Sequence, residues 1–157
     1  MKTNLVLTGN TEILDKEYNN ILSGEWCLQN KNFKNKIADV NYKVIQYHWS
    51  DIEKKKKDFV YLNDLYPRLL KSFCNFLNFY HKTNKPERYW HIIIGPWLAK
   101  SLPILYDRWE TIKFLISKNK FDKITVLNLN KDFLITKDYK HFISIMHNHS
   151  WNNVIFK

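Results

Sequence analysis

The sequence predicts an α/β fold: a three-layer, Rossmann-like domain with a short, mostly parallel sheet and long kinked helices. Two observations carry that expectation. Short apolar runs bounded by turn residues recur at 4–8, 21–23, 42–48 and 123–129, the pattern of buried strands. Between the third and fourth run lie two long stretches whose apolar residues repeat every three or four positions, as on one face of a helix. A strand arriving after such a stretch implies a parallel crossover. At 157 residues the chain suits one domain, 1–157.

In chain order, Asn4–Thr8 (NLVLT) is a buried strand closed by Gly9-Asn10. Ile21–Ser23 is the second strand and leads into Gly24-Glu25-Trp26-Cys27. Asn30–Lys36, rich in asparagine and lysine without periodicity, reads as an exposed loop. Tyr42–His48 is the third strand. Ser50 with Glu53 forms a capping box, and Asp51 suits the positive end of a helix. The helix it opens carries an apolar stripe (Leu62, Leu69, Phe73, Phe76 and Tyr80 among others) to about His81, with Pro67 as a kink.

Thr83–Pro86 is a linker. From Arg88 to about Ser117 the apolar positions Trp90, Ile94, Trp97, Leu98, Leu102 and Leu105 continue at helical spacing. Gly95-Pro96 predicts a break or sharp kink near Trp97, and Pro103 a second bend. A buried strand at His91–Ile94 ending in a Gly-Pro turn is the competing reading. Lys123–Leu129 (KITVLNL), β-branched and flanked by polar residues, is the clearest strand. Thr136 or Asp138 then caps a helix through Phe142, Ile145 and Met146, and Ser150 opens a last turn.

Composition limits the function classes. With 45% hydrophobic and 16% aromatic residues the chain builds a bulky core. The net charge of +10 comes from lysine, in a chain also crowded with asparagine and isoleucine, as AT-rich genomes encode. A basic surface favours anionic partners. Only three arginines, all scattered, argue against specific nucleic-acid recognition. Lys100, Asp107 and Arg108 interrupt every window a membrane-spanning helix would need. Cys27 and Cys74 lack disulfide or metal spacing and the N-terminus lacks a signal-peptide core, so a cytoplasmic protein with reduced thiols is expected. Three glycines cannot make a dinucleotide-binding loop, and His147 and His149, two apart where a helical pair of ligands needs three or four, are a weak metal signal and read as loop histidines.

Candidate site residues cluster around tryptophan. His48, at the end of the third strand, is a candidate general base or hydrogen-bond donor to a sugar hydroxyl, or a structural histidine. Glu25 is the candidate carboxylate at the end of the second strand. Trp26, Trp49 and Trp97 offer flat apolar faces of the kind that stack on pyranose rings. Arg88 and Arg108 could clamp phosphate or carboxylate; the alternative for Arg108 is an ion pair with Asp107.

Gly24-Glu25-Trp26-Cys27, Tyr47-His48-Trp49-Ser50-Asp51, Arg88-Tyr89-Trp90, Gly95-Pro96-Trp97, Tyr106-Asp107-Arg108-Trp109 and Trp151-Asn152 together resemble the N-terminal part of a family of transferases encoded in surface-carbohydrate and O-antigen gene clusters. The resemblance implies a role in assembling lipopolysaccharide or a related glycan. It also implies two Rossmann-like halves, of which this chain would be the N-terminal, acceptor-side one, since members of that family run several times longer. A nucleotide-sugar donor is then expected for the complete protein, with no cofactor in this domain. The partners implied are a glycan or lipid-linked sugar acceptor and a missing C-terminal half. Such a protein would lie in the cytoplasm, peripherally at the inner face of the membrane. A non-catalytic glycan- or partner-binding module is the other function class these residues allow.

Overall fold

Alternate residues of a strand face opposite layers, and that alternation organises the sheet. The computed structural model describes residues 2–157. Strand β1 (Thr3–Val6) sends Val6 to one face of the sheet and Leu5, with Leu7 just beyond the strand, to the other. The chain divides into two compact units, Met1–His48 with Arg108–Lys157, and Trp49–Asp107.

The first unit holds an all-parallel sheet in the order β3-β2-β1-β4, with β2 at Asn19–Leu22, β3 at Tyr42–Val44 and β4 at Lys123–Ile124. Leu5 stands opposite Ile21 and Ile124, and Ile21 opposite Lys43. On the Val6 side pack Leu22, Cys27 and the helix α1 (Lys31–Ile37) through Phe33 and Ile37. On the Leu5 side pack Leu115, from the end of the long helix α3 (Glu87–Lys118), and Phe156 of α5 (His149–Phe156). The result is the expected three-layer, Rossmann-like arrangement. Strand order reverses between β1 and β4, and open α/β sheets bind ligands outside the carboxyl ends of their strands at such a point.

Several expected boundaries move, each for a local reason. The segment 30–36 is α1 and not a loop: the Asn30 side chain accepts the N–H groups of Asn32 and Phe33, an N-cap, and Phe33 and Ile37, four apart, are buried. Strand β3 ends at Val44, so His48 lies in a short 3-10 helix, His48–Ser50. The sequence's clearest strand, 123–129, pairs over only two residues. Further along, the Asn153 side chain replaces a neighbouring strand: its Nδ2 donates to the Leu127 carbonyl at 2.8 Å and its Oδ1 accepts the Leu127 N–H at 3.0 Å. Asp51, not Ser50, caps α2 (Ile52–Tyr80), and Asn148, not Ser150, caps α5. The short helix between, α4 (Tyr139–Ile145), is capped by Asp138 as one of the two expected residues.

In the second unit α2 and the first part of α3 pack antiparallel through Leu70, Cys74, Trp90 and Leu98. Helix α3 stays helical through Gly95-Pro96 and Pro103, so neither a break nor a strand at 91–94 occurs. A proline inside a helix costs about 3 kcal/mol; burial of Trp90 and Leu98 on either side of Pro96 offsets it. Among the described residues no helix is long and apolar enough to cross a membrane. Both cysteines are free thiols, and burial pushes the Cys27 thiol up to about 11.

The turn between the two helices is tightly built. Thr83 N–H donates to the Asn78 carbonyl and Lys82 N–H to that of Phe79, the paired bonds of a Schellman cap. Lys82 holds the left-handed position at φ 52°, where glycine is preferred. Lys82→Gly should therefore raise stability by roughly 0.5 to 1 kcal/mol, strain relieved less the extra freedom of the unfolded chain. A thermal melt checks this, with a higher midpoint expected.

Candidate functional site

The chain leaves β1 through Leu7, Thr8 and Gly9, all buried. The Gly9 N–H donates to Nδ1 of His149, the first residue of α5, at 3.0 Å, and the Gly9 carbonyl accepts from Asn30 Nδ2 at 3.1 Å. Only glycine fits here. A Cβ would fall inside van der Waals contact of the Cys27 carbonyl oxygen and 2.9 Å from the His149 ring. A ring nitrogen that accepts a hydrogen bond carries no proton, so the neutral His149 keeps its proton on Nε2. Burial holds its pKa below the usual histidine range, which favours that neutral form.

Past β2, the missing side chain of Gly24 leaves room for the Trp26 ring. Trp26 Nε1 donates to the Leu7 carbonyl at 3.4 Å, and its ring meets that of Tyr47 edge-to-face, centroids 5.5 Å apart. From the start of the α3 segment in this unit, Arg108 donates through Nε to Asn152 Oδ1 at 2.6 Å. Asn152 is itself fixed, its Nδ2 donating to the carbonyls of Met146 and Asn148. That chain of bonds sets the plane of the guanidinium.

These groups enclose a cavity of about 90 Å³. Thr8, Trp26 and Gln29 form one part of its lining, and Arg108, His147, His149 and Asn152 the other. It lies where β1 ends, at the point where strand order reverses. Among the described residues that line it there is no carboxylate, and the lining is rich in hydrogen-bonding groups beside one aromatic face. Its volume admits a fragment of a sugar or one anionic group, not an entire nucleotide sugar. A larger cavity of about 290 Å³ in the second unit is lined by Leu62, Tyr66, Leu102 and Pro103 among others and offers little chemistry.

Of the residues singled out in the sequence, Trp26 and Arg108 meet in the small cavity. Glu25 begins the same short helix as Trp26 but is exposed and outside the lining. His48 is buried, its ring edge-on to Tyr47 at 4.8 Å, and does not reach the cavity wall. Trp49, Arg88 and Trp97 belong to the second unit. Trp49 Nε1 donates to Asp58 at 2.8 Å. Burial pushes the Asp58 carboxyl up, but hydrogen bonds from Lys54, Trp49 and Tyr106 outweigh it and hold the group below the usual range. Arg88 is exposed on the first turn of α3, and Trp97 stands edge-on to Phe73. Sequence reasoning missed Thr8, Gln29 and Asn152, and read His147 and His149 only as a failed metal pair. Gly9, one of just three glycines, was the available signal. Among the described residues no three metal-ligating side chains come together.

The model of one protein family, described as LIC12162 family transferase, matches residues 3–157. No curated protein and no solved structure matches the chain.

Proposed function

We propose, from the premise that the chain belongs to the LIC12162 family of transferases, that its first unit is the acceptor side of a glycosyl transfer reaction in surface-polysaccharide or O-antigen assembly. The observation that carries this reading is the cavity at the end of β1, which sets an indole face beside a fixed guanidinium, an imidazole and two side-chain amides. Sugars are bound by such sets: apolar CH faces stack on the ring while hydroxyls take the polar groups. Its size takes part of one sugar of a glycan or lipid-linked acceptor, and the rest of the acceptor and the nucleotide-sugar donor are then held outside it. His149 is a hydrogen-bond donor in this reading, because Nδ1 is occupied by Gly9. The base that takes the proton of the acceptor hydroxyl is a different group; Glu25, the exposed neighbour of Trp26, is the candidate, whereas His48 is buried away from the cavity wall. The reaction is assigned to the cytoplasmic face of the membrane, with the protein attached peripherally.

The test is genetic and uses the gene at its natural length. Cells lacking it should lose or shorten their surface glycan on a gel, and the wild-type gene should restore it. Trp26→Ala or Arg108→Lys should fail to restore it at equal protein abundance on an immunoblot. A deletion that leaves the surface glycan unchanged overturns the reading; restoration by both variants removes the cavity from it and favours the non-catalytic binding module.

A further inference from the structure

We infer that the tip of the α2–α3 hairpin is a docking surface for an anionic lipid bilayer. This extends the reading of peripheral attachment above and names the surface responsible. The last turn of α2 presents Phe76, Phe79 and Tyr80 to solvent at 57%, 84% and 68% exposure, and α3 adds Tyr89 and Ile92, the latter at 70%. A soluble surface seldom gathers so many large apolar side chains without a use for them. Between and beside them stand Lys82, Lys85 and Arg88, all exposed. From residue 71 to 93 the only acidic residue is Glu87. The occupant must therefore accept apolar rings and carry negative charge. Aromatic side chains prefer the headgroup region of a bilayer, and lysine or arginine at the rim are drawn to anionic lipid.

The tip is preorganised for that contact. Asn78 ties it together: Oδ1 accepts from Lys85 N–H at 2.9 Å, Thr83 Oγ1 at 3.1 Å and Trp90 Nε1 at 2.9 Å, while Nδ2 donates to the Lys85 carbonyl at 2.9 Å. Lys85 Nζ lies 5.5 Å from the Tyr89 ring centre, so cation and aromatic are presented together. At residue 82 the chain keeps a lysine in the left-handed conformation that glycine would occupy with less strain. Docking explains why a charge stands there.

Co-sedimentation of the full chain with lipid vesicles tests this. Vesicles of phosphatidylglycerol and phosphatidylcholine in equal amounts should carry the protein down, vesicles of phosphatidylcholine alone should not, and salt should weaken the binding. Phe79→Ser with Tyr80→Ser should abolish it. Lys82→Gly with Lys85→Gln and Arg88→Gln should weaken it on the order of a hundredfold at low salt, with no fall in the melting midpoint. Protein that stays in the supernatant with both vesicle types overturns the inference, and so do tip variants that sediment like wild type. Self-association abolished by the aromatic variants, without vesicle binding, assigns the face to a second copy instead. Arg108→Lys should sediment like wild type, so the vesicle assay and the glycan assay can fail independently.

Discussion

Replacing Gly9 by alanine should destabilise the protein by about 3 kcal/mol, because overpacking against fixed backbone is costlier than against a side chain that can turn aside. The added methyl group would collide with the Cys27 carbonyl oxygen, itself held in the short helix that follows β2, and press on the His149 ring. Relief requires moving the strand end or pushing His149 off the Gly9 N–H. Gly24→Ala provides the contrast. The three atoms nearest its added Cβ all belong to the ring of Trp26, which can swing away, so the melting midpoint should fall much less while the cavity loses its indole wall. Thermal unfolding followed by circular dichroism separates them, with a drop on the order of 10 °C for Gly9→Ala. Equal midpoints would contradict the close approach described at the end of β1.

Asn153→Ala should cost about 1 to 3 kcal/mol. Asn153 is 2% exposed and satisfies both the N–H and the carbonyl of Leu127. Its removal leaves the Leu127 N–H unpaired, at about 1 to 3 kcal/mol, while the Leu127 carbonyl keeps its bond from the Leu129 N–H. Asn153→Asp should not rescue the loss, since a carboxylate accepts from the Leu127 N–H but sets its second, acceptor-only oxygen against the Leu127 carbonyl where Nδ2 stood at 2.8 Å. Hydrogen exchange gives the local reading. The Leu127 amide should lose its protection in Asn153→Ala, and an unchanged rate would mean that this side chain does not stand in for a strand.

The layers and long helices were legible because they rest on periodicity. Leu69 and Phe73 on α2, and Trp90, Ile94 and Leu98 on α3, repeat as helix faces, and the runs at 4–8 and 21–23 mark strands that do pair. Helix α1 escaped notice because its signal is just an asparagine cap and two apolar residues four apart within a lysine-rich stretch. The length of β4 was out of reach for another reason. What ends its pairing is a side chain 26 residues further on, and no local pattern encodes such a partner. Likewise part of the apolar stripe on α2 and α3 is exposed, Phe76, Tyr80 and Leu105 included, because periodicity reports a face but not whether anything covers it. At the site, Trp26 and Arg108 stood out as rare residue types. His149 and Asn152 are common types that became site residues only through the hydrogen bonds that α5 makes back to Gly9 and Arg108.

Under the proposed function the cavity at the end of β1 holds the sugar acceptor. The most direct test is a titration of the chain, labelled with nitrogen-15 in its tryptophan indoles, with oligosaccharide released from the surface glycan of the source cells. Tryptophan-to-phenylalanine variants assign the six signals. A saturable shift of the Trp26 indole, with Trp49 and Trp97 unmoved and the shift lost in Arg108→Lys, is the predicted result. Saturable binding that moves Trp49 or Trp97 and leaves Trp26 in place, or no shift at any of the six, would contradict it.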